Sequence, residues 1–239
     1  MIDAAIEALA KGEFILLYDF DNRERETDFA IRSDAVTPAH IRQMRKDGGG
    51  IIGTSIHPDA ARQLGLPFAS DIMWDLAIVE HTGDIPYDRS NRSSFSLWVN
   101  HRETYTGITD RDRALTANRI AEQVKRSFDG EENTFAAHFR TPGHMPIFRA
   151  AEGLLDVRRG QTELSITLAV MAGITPAVTI CEMLDDETGL ALSRRDAQEY
   201  ARHHGLTFVE GREVLERWDR VRESATVNAG TPAAVSIHD

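Results

Sequence analysis

The spacing of apolar residues predicts alternating helices and strands. MIDAAIEALAKGEF reads as an amphipathic helix over Ile2–Lys11 that stops at Gly12, a residue suited to a helix C-terminus. Short apolar runs predict strands at Phe14–Tyr18, Phe29–Arg32, Phe95–Val99 and Val178–Cys181, the last a β-branched run suited to a sheet centre. Thr37 followed by Pro38 is a cap with Pro at the first helical position, which predicts a helix to about Lys46. Gly48–Gly50 break the chain before Ile51 and Ile52, and a second short helix starts near Pro58. Asp110 or Asp112 can cap a helix reaching about Arg126, and Thr162–Ala172 reads as a helix ended by Gly173. Ser193 and Asp196 form a capping pair ahead of a helix to about His203, and another helix follows Glu210. From about Ser224 the residues turn to Ala, Gly, Thr and Pro, the composition of a frayed tail. The expectation is one α/β domain over residues 1–222, a layered α+β sandwich with a mixed sheet flanked by helices, and a flexible tail over 223–239.

Composition narrows the function. The 239 residues, 41% hydrophobic, can bury a sizeable core, and no apolar run approaches the roughly 18 to 20 residues that span a bilayer. The acidic N-terminus lacks the basic start of a signal peptide, so a cytoplasmic protein with no membrane partner is expected. The single cysteine, Cys181, excludes an intrachain disulfide and a Cys-based zinc cluster. A net charge of −11 argues against nucleic acid as a partner. Only three of the 27 basic residues are lysines, which fits a salt-loving organism and a GC-rich genome equally.

Four segments carry candidate chemistry. Asp19–Asp28, DFDNRERETD, follows the first strand. If extended, Glu24, Glu26 and Asp28 share a face, about 7 Å apart. Each pair then repels by roughly 2 kcal/mol at an effective dielectric near 20. Arg23, Arg25 or a divalent metal could offset this, and all-oxygen donors suit Mg²⁺. A solvated charged loop is the competing reading. Arg158-Arg159-Gly160-Gln161-Thr162 enters a helix whose free N–H groups, with two arginines and a glycine, suit a phosphate, as against an ordinary capped helix. In Arg140-Thr-Pro-Gly-His144 a Pro-Gly turn fixes a histidine that could act as general acid or base, although lone histidines are more often structural. Glu182 ends the Val178–Cys181 strand, where sheet ligands bind. Cys181 has no neighbouring base to activate it, Gly48–Gly50 lack a phosphate-loop pattern, and His203-His204 reads as a helix end.

Together with MRKDGGGIIGTSIHPD, IPYDRSNRSSFS, NHRETYTGITDRDRA and TICEMLDDETG, these segments resemble the 3,4-dihydroxy-2-butanone 4-phosphate synthases of riboflavin biosynthesis, in their stand-alone archaeal form, over about residues 1–215. The resemblance implies a homodimer that converts D-ribulose 5-phosphate to formate and L-3,4-dihydroxy-2-butanone 4-phosphate with Mg²⁺ or Mn²⁺. It implies that Glu24 binds metal and that Arg23, Glu24, Asp28, Glu182 and the stretch Arg158, Arg159, Gly160, Gln161 and Thr162 hold substrate. His144 and Glu182 match positions regarded as essential for catalysis, and Glu26 an additional catalytic acid.

Two positions depart from that pattern. Gln161 stands where the family usually has a metal-binding histidine, and Gly53 where it commonly has a cysteine. An amide oxygen is a hard donor that Mg²⁺ accepts, so Gln161 is expected to serve as the second metal ligand. The charged 19–28 loop is the expected lid. Two further readings fit these residues: another metal-dependent sugar-phosphate lyase or isomerase, and a catalytically silent relative, the latter motivated by Gln161 and Gly53. Release of formate separates the first from the synthase, and turnover excludes the second.

Overall fold

The computed structural model describes residues 1–229. Seven strands form one mixed sheet: β1 (Ile15–Tyr18), β2 (Thr27–Arg32), β3 (Gly53–Ile56), β4 (Phe95–His101), β5 (Phe139–Arg149), β6 (Ala177–Glu182) and β7 (Thr207–Glu210), in the order β4-β5-β3-β6-β2-β1-β7. The β3–β5 and β1–β7 pairs are parallel and the rest antiparallel.

All four residues of β1 are buried because helices cover both faces. Ile15 and Leu17 point to one layer, with α1 (Ile2–Lys11), α7 (Gln161–Met171) and α9 (Gly211–Ala229). Leu16 and Tyr18 point to the other, with α2 (Pro38–Gln43), α5 (Asp110–Phe128) and α8 (Arg194–His204). Phe29, fully buried on this second face, contributes about 2 to 3 kcal/mol by its removal from water. The short helices α3 (Pro58–Leu64), α4 (Ala69–Met73) and α6 (Phe135–His138) pack towards the β4–β5 side. Among the described residues no helix is long and apolar enough to cross a membrane.

The expected elements form, with instructive shifts. The helix from Pro38 stays α-helical to Gln43 and then widens into a π-turn over Met44–Gly48. Thr109, not either aspartate, caps α5. Helix α7 begins one residue before the expected Thr162, with Gly160 as its N-cap and Gln161 at its first position. The C-terminal helix runs to Ala229, past the expected boundary near 222, and residues 230–239 lie outside the described residues. Strands β3, β5 and β7 have no counterpart in the sequence reading; β3 and β7 are only four residues long, too short for a period to emerge. In β5 the expected Pro-Gly turn is a bulge: Val99 pairs with Met145 and Asn100 with Arg140, so Thr141–His144 leave the ladder. Gly143 is required there, because a Cβ would lie 2.0 Å from the Val99 carbonyl carbon.

Candidate active site

A cavity of about 340 Å³ opens where β1 and β6 end, β2 begins and α7 presents its N-terminus. Glu24, Glu26, Asp28, Arg158, Gln161, Thr162 and Glu182 all line it, so the acidic loop, the Arg-Gly stretch and the end of β6 converge.

Asp19 builds the acidic loop. It is buried, and its carboxylate accepts the Glu24 N–H at 2.9 Å and the Glu26 N–H at 3.0 Å. Arg25 takes a left-handed φ of 61° to complete the turn. The two bonds to Asp19 pin the loop, the expected lid, against the end of β1. Asp28 and Glu182 are register partners on β2 and β6. Asp28 is 1% exposed and neither carboxylate oxygen has a partner. Burial, then the charges of Glu182 and Glu24, hold its carboxyl well above the usual range. Glu182 accepts the Ile51 N–H at 2.7 Å, yet burial raises it too. Gly50 lets this carboxylate lie against the backbone, since a Cβ there would come within 2.4 Å of it. Burial, then Glu24 and Glu182, push Glu26 up to about 7.

The α7 end supplies the opposite chemistry. Arg158 is buried, and its guanidinium donates to Glu163 at 2.5 Å. Gly160 makes room for two guanidiniums: a Cβ would lie 2.2 Å from Arg158 Nη1 and 2.9 Å from Arg23 Nη2. Thr162 reaches Ser94 Oγ at 3.2 Å. The Gln161 amide donates to the carbonyls of Leu17 at 2.9 Å and Glu26 at 3.1 Å. Two acceptors fix which end carries nitrogen, and leave Oε1 buried without a partner.

Three expected residues sit elsewhere. Arg23 stands behind Glu24, bonded to it at 2.8 Å, and lines a neighbouring cavity with the exposed Arg159. His144 does not line the cavity: it is exposed on the β5 bulge, where Asn100 accepts its N–H at 2.8 Å. Phe148, four residues on, does line it, which puts His144 roughly 13 Å away along the strand.

The sequence reading missed the rest of the wall. Phe95, Phe148 and Ile180 form an apolar side. A Cβ on Gly53 would lie 2.3 Å from the Phe148 ring, so that ring occupies the space a larger residue at 53 would need. The segment Asp84–Tyr87 lines the cavity, and Tyr87 donates its hydroxyl to Glu24. Burial, then that hydrogen bond, raises the Tyr87 hydroxyl, which keeps it a donor. The stretch IPYDRSNRSSFS enters the family resemblance, but irregular loop residues carry no periodic signal, so Ile85–Tyr87 take no role from the sequence.

Among the described residues no three Asp, Glu, His or Cys side chains converge closely enough to hold a metal ion. A cation here would draw on other oxygens as well. The unpartnered Asp28 carboxylate and Gln161 amide oxygen, beside Glu24, make a hard donor set of the kind Mg²⁺ accepts while keeping several waters.

Known proteins share this sequence and fold. A relative from Methanosarcina mazei, a 3,4-dihydroxy-2-butanone 4-phosphate synthase, is 51% identical over 91% of this chain and 90% of its own. One from Archaeoglobus fulgidus, of the same name, is 50% identical over 92% of this chain and 95% of its own. A crystal structure of such a synthase in complex with two magnesium ions superposes with a TM-score of 0.77 at 27% identity, covering 92% of this chain and 97% of that one. The Candida albicans enzyme gives a TM-score of 0.72 at 28% identity, over 90% of this chain and 96% of its own. The family model for 3,4-dihydroxy-2-butanone 4-phosphate synthase matches residues 3–217, which takes in every element lining the cavity, and the chain belongs to that family of riboflavin-biosynthetic lyases.

Proposed function

We propose that the acidic cavity converts D-ribulose 5-phosphate to formate and L-3,4-dihydroxy-2-butanone 4-phosphate, with Mg²⁺ or Mn²⁺ held by Glu24 and Gln161. The observation that carries this reading is the pairing, in one cavity, of unpartnered buried oxygens on Asp28 and Gln161 with the single lining arginine, Arg158. The two ends suit the two ends of the substrate: carboxylates for the keto-diol, and Arg158 with the N–H groups of α7 for the phosphate.

A bound divalent cation would polarise the C2 carbonyl and hold its neighbouring hydroxyl. The protein groups move protons. Glu26, poised near neutrality, can remove the C3 proton to give an enediol and return it to oxygen. Asp28, whose buried carboxyl oxygens have no partner within the protein, faces the cavity and can hold a hydroxyl of the sugar. Glu182 faces the same space and assists the skeletal shift and the release of C4 as formate. The water lost with the C1 hydroxyl is regained when C4 departs, so substrate and products balance. Segment Asp84–Tyr87 lines the cavity and narrows the space around the enediol.

The protein acts as a homodimer in this reading. His144 lies outside its own cavity, on an exposed bulge next to the edge strand β4, where a second copy can receive it. Turnover is tested with ribulose 5-phosphate and Mg²⁺, following formate; absence of formate rejects the reading. Mixing His144→Ala with Glu182→Gln under subunit exchange should restore activity, because a mixed dimer has one intact site. A mixture as inactive as its parts rejects the shared site.

A further inference from the structure

Glu24 is held from two directions. Arg23 bonds one carboxylate oxygen at 2.8 Å, and the Tyr87 hydroxyl donates to the other. The Arg23 guanidinium also lies over the Tyr87 ring, 5.4 Å from its centre. Tyr87 sits near the tip of a loop closed on itself by the Ser93 N–H bond to the Gly83 carbonyl, at 3.2 Å. The other flank of this loop is tied down by Asn91, whose amide donates to the Val157 carbonyl at 3.3 Å, one residue before Arg158. The loop therefore bridges the acidic end of the cavity and its arginine end. Tyr87 is 52% exposed, so its ring is not required by the core. What it adds is a hydrogen bond to one carboxylate.

We propose that Tyr87 is a positioning residue for the divalent cation: its hydroxyl aims the Glu24 carboxylate and sets the Gly83–Ser93 loop and the cation site together. The proposal rests on Glu24 being a cation ligand. A carboxylate free to rotate must be ordered when the ion arrives, whereas one held by Tyr87 and Arg23 is already in place. Loss of such outer hydrogen bonds typically weakens metal binding by about 10- to 100-fold. Only one of the two holding groups is removed with Tyr87, so the lower end of that range applies. Because the same hydroxyl fastens the loop, cation binding at Glu24 should reduce backbone exchange over Gly83–Ser93 as well.

The test is Tyr87→Phe, which keeps the ring against Arg23 and removes only the hydroxyl. Mg²⁺ affinity is measured by calorimetry on the full chain without substrate, and amide hydrogen exchange is followed over Gly83–Ser93. The variant should bind Mg²⁺ about tenfold more weakly than the wild type. Its urea midpoint should be unchanged, and the loop should exchange faster. Mg²⁺ should slow loop exchange in the wild type and much less in the variant. In a Glu24→Gln background, Tyr87→Phe should have no further effect on Mg²⁺ binding. Equal Mg²⁺ affinity in wild type and Tyr87→Phe overturns the role of Tyr87 and leaves the cation site standing. No Mg²⁺ binding by the wild type overturns the cation site itself, and this inference with it.

Discussion

Replacing Glu163 with glutamine should unseat Arg158 without changing the size of any side chain. Glu163 is fully buried and both its oxygens are used: Oε1 accepts the Ala151 N–H at 2.9 Å, and Oε2 accepts from Arg158 at 2.5 Å. Burial raises the Glu163 carboxyl more than Arg158 lowers it, so the pair depends on both hydrogen bonds being made. Glutamine has one oxygen. Whichever way the amide turns, an NH₂ faces a donor, either the Ala151 N–H or the guanidinium. An unmet buried donor costs about 1 to 3 kcal/mol. Leaving the buried Arg158 charge without its counter-charge brings the expected loss to about 3 to 5 kcal/mol. For a chain of this size that is a fall in Tm of roughly 10 °C. Urea unfolding followed by circular dichroism measures the stability, and the KM for ribulose 5-phosphate should rise because the guanidinium no longer has a fixed direction. A Glu163→Gln/Arg158→Gln double variant should lose less than the two single variants combined, with a coupling energy above about 1 kcal/mol. A loss below about 1 kcal/mol in Glu163→Gln, or strict additivity in the cycle, would refute the view that this buried pair holds the phosphate end together.

Glu26→Gln should flatten the pH dependence of stability in chelator-treated protein. The folded state holds the Glu26 proton up to about 7 and the unfolded chain releases it near 4.5, so the wild type loses stability as pH rises through that window. The shift is worth at most about 3 kcal/mol, and partial exposure reduces it to about 2 kcal/mol; parallel wild-type and variant curves between pH 5 and 8 would contradict it. Gln161→Leu should weaken Mg²⁺ binding several-fold by calorimetry and lower turnover without abolishing it, while Gln161→His keeps a donor and should retain binding; wild-type affinity in the leucine variant would remove Gln161 from the ligand set. Gly53→Cys should cost about 1 to 3 kcal/mol in urea unfolding, because its Cβ starts 2.3 Å from the Phe148 ring. Phe148→Leu in the same chain should recover part of that loss, and a thiol tolerated without cost would show that the ring moves freely.

Much of this protein was legible in its sequence. The helix stop at Gly12, the caps at Thr37 and Ser193 and the buried runs of β1, β2 and β6 are local events, set by turn preference, capping and hydrophobic period within a few residues. The residue types at the site were readable for the same reason, since a run such as ETD between two arginines and a strand is unusual wherever it lies. Its resemblance to a family then assigned roles that spacing alone left open. Other features required the fold. That Asp28 has no partner, that Gln161 has its nitrogen occupied and its oxygen free, and that Tyr87 meets Glu24 across 63 positions of chain all follow from which strands pair and how α7 abuts them. His144 shows the same limit: the sequence marked the residue, and the β5 bulge placed it outside the cavity formed by its own chain. The physical reason is range. Propensity and periodicity act over one or two turns of chain, whereas desolvation and charge at a site are sums over neighbours brought together only when distant segments pack.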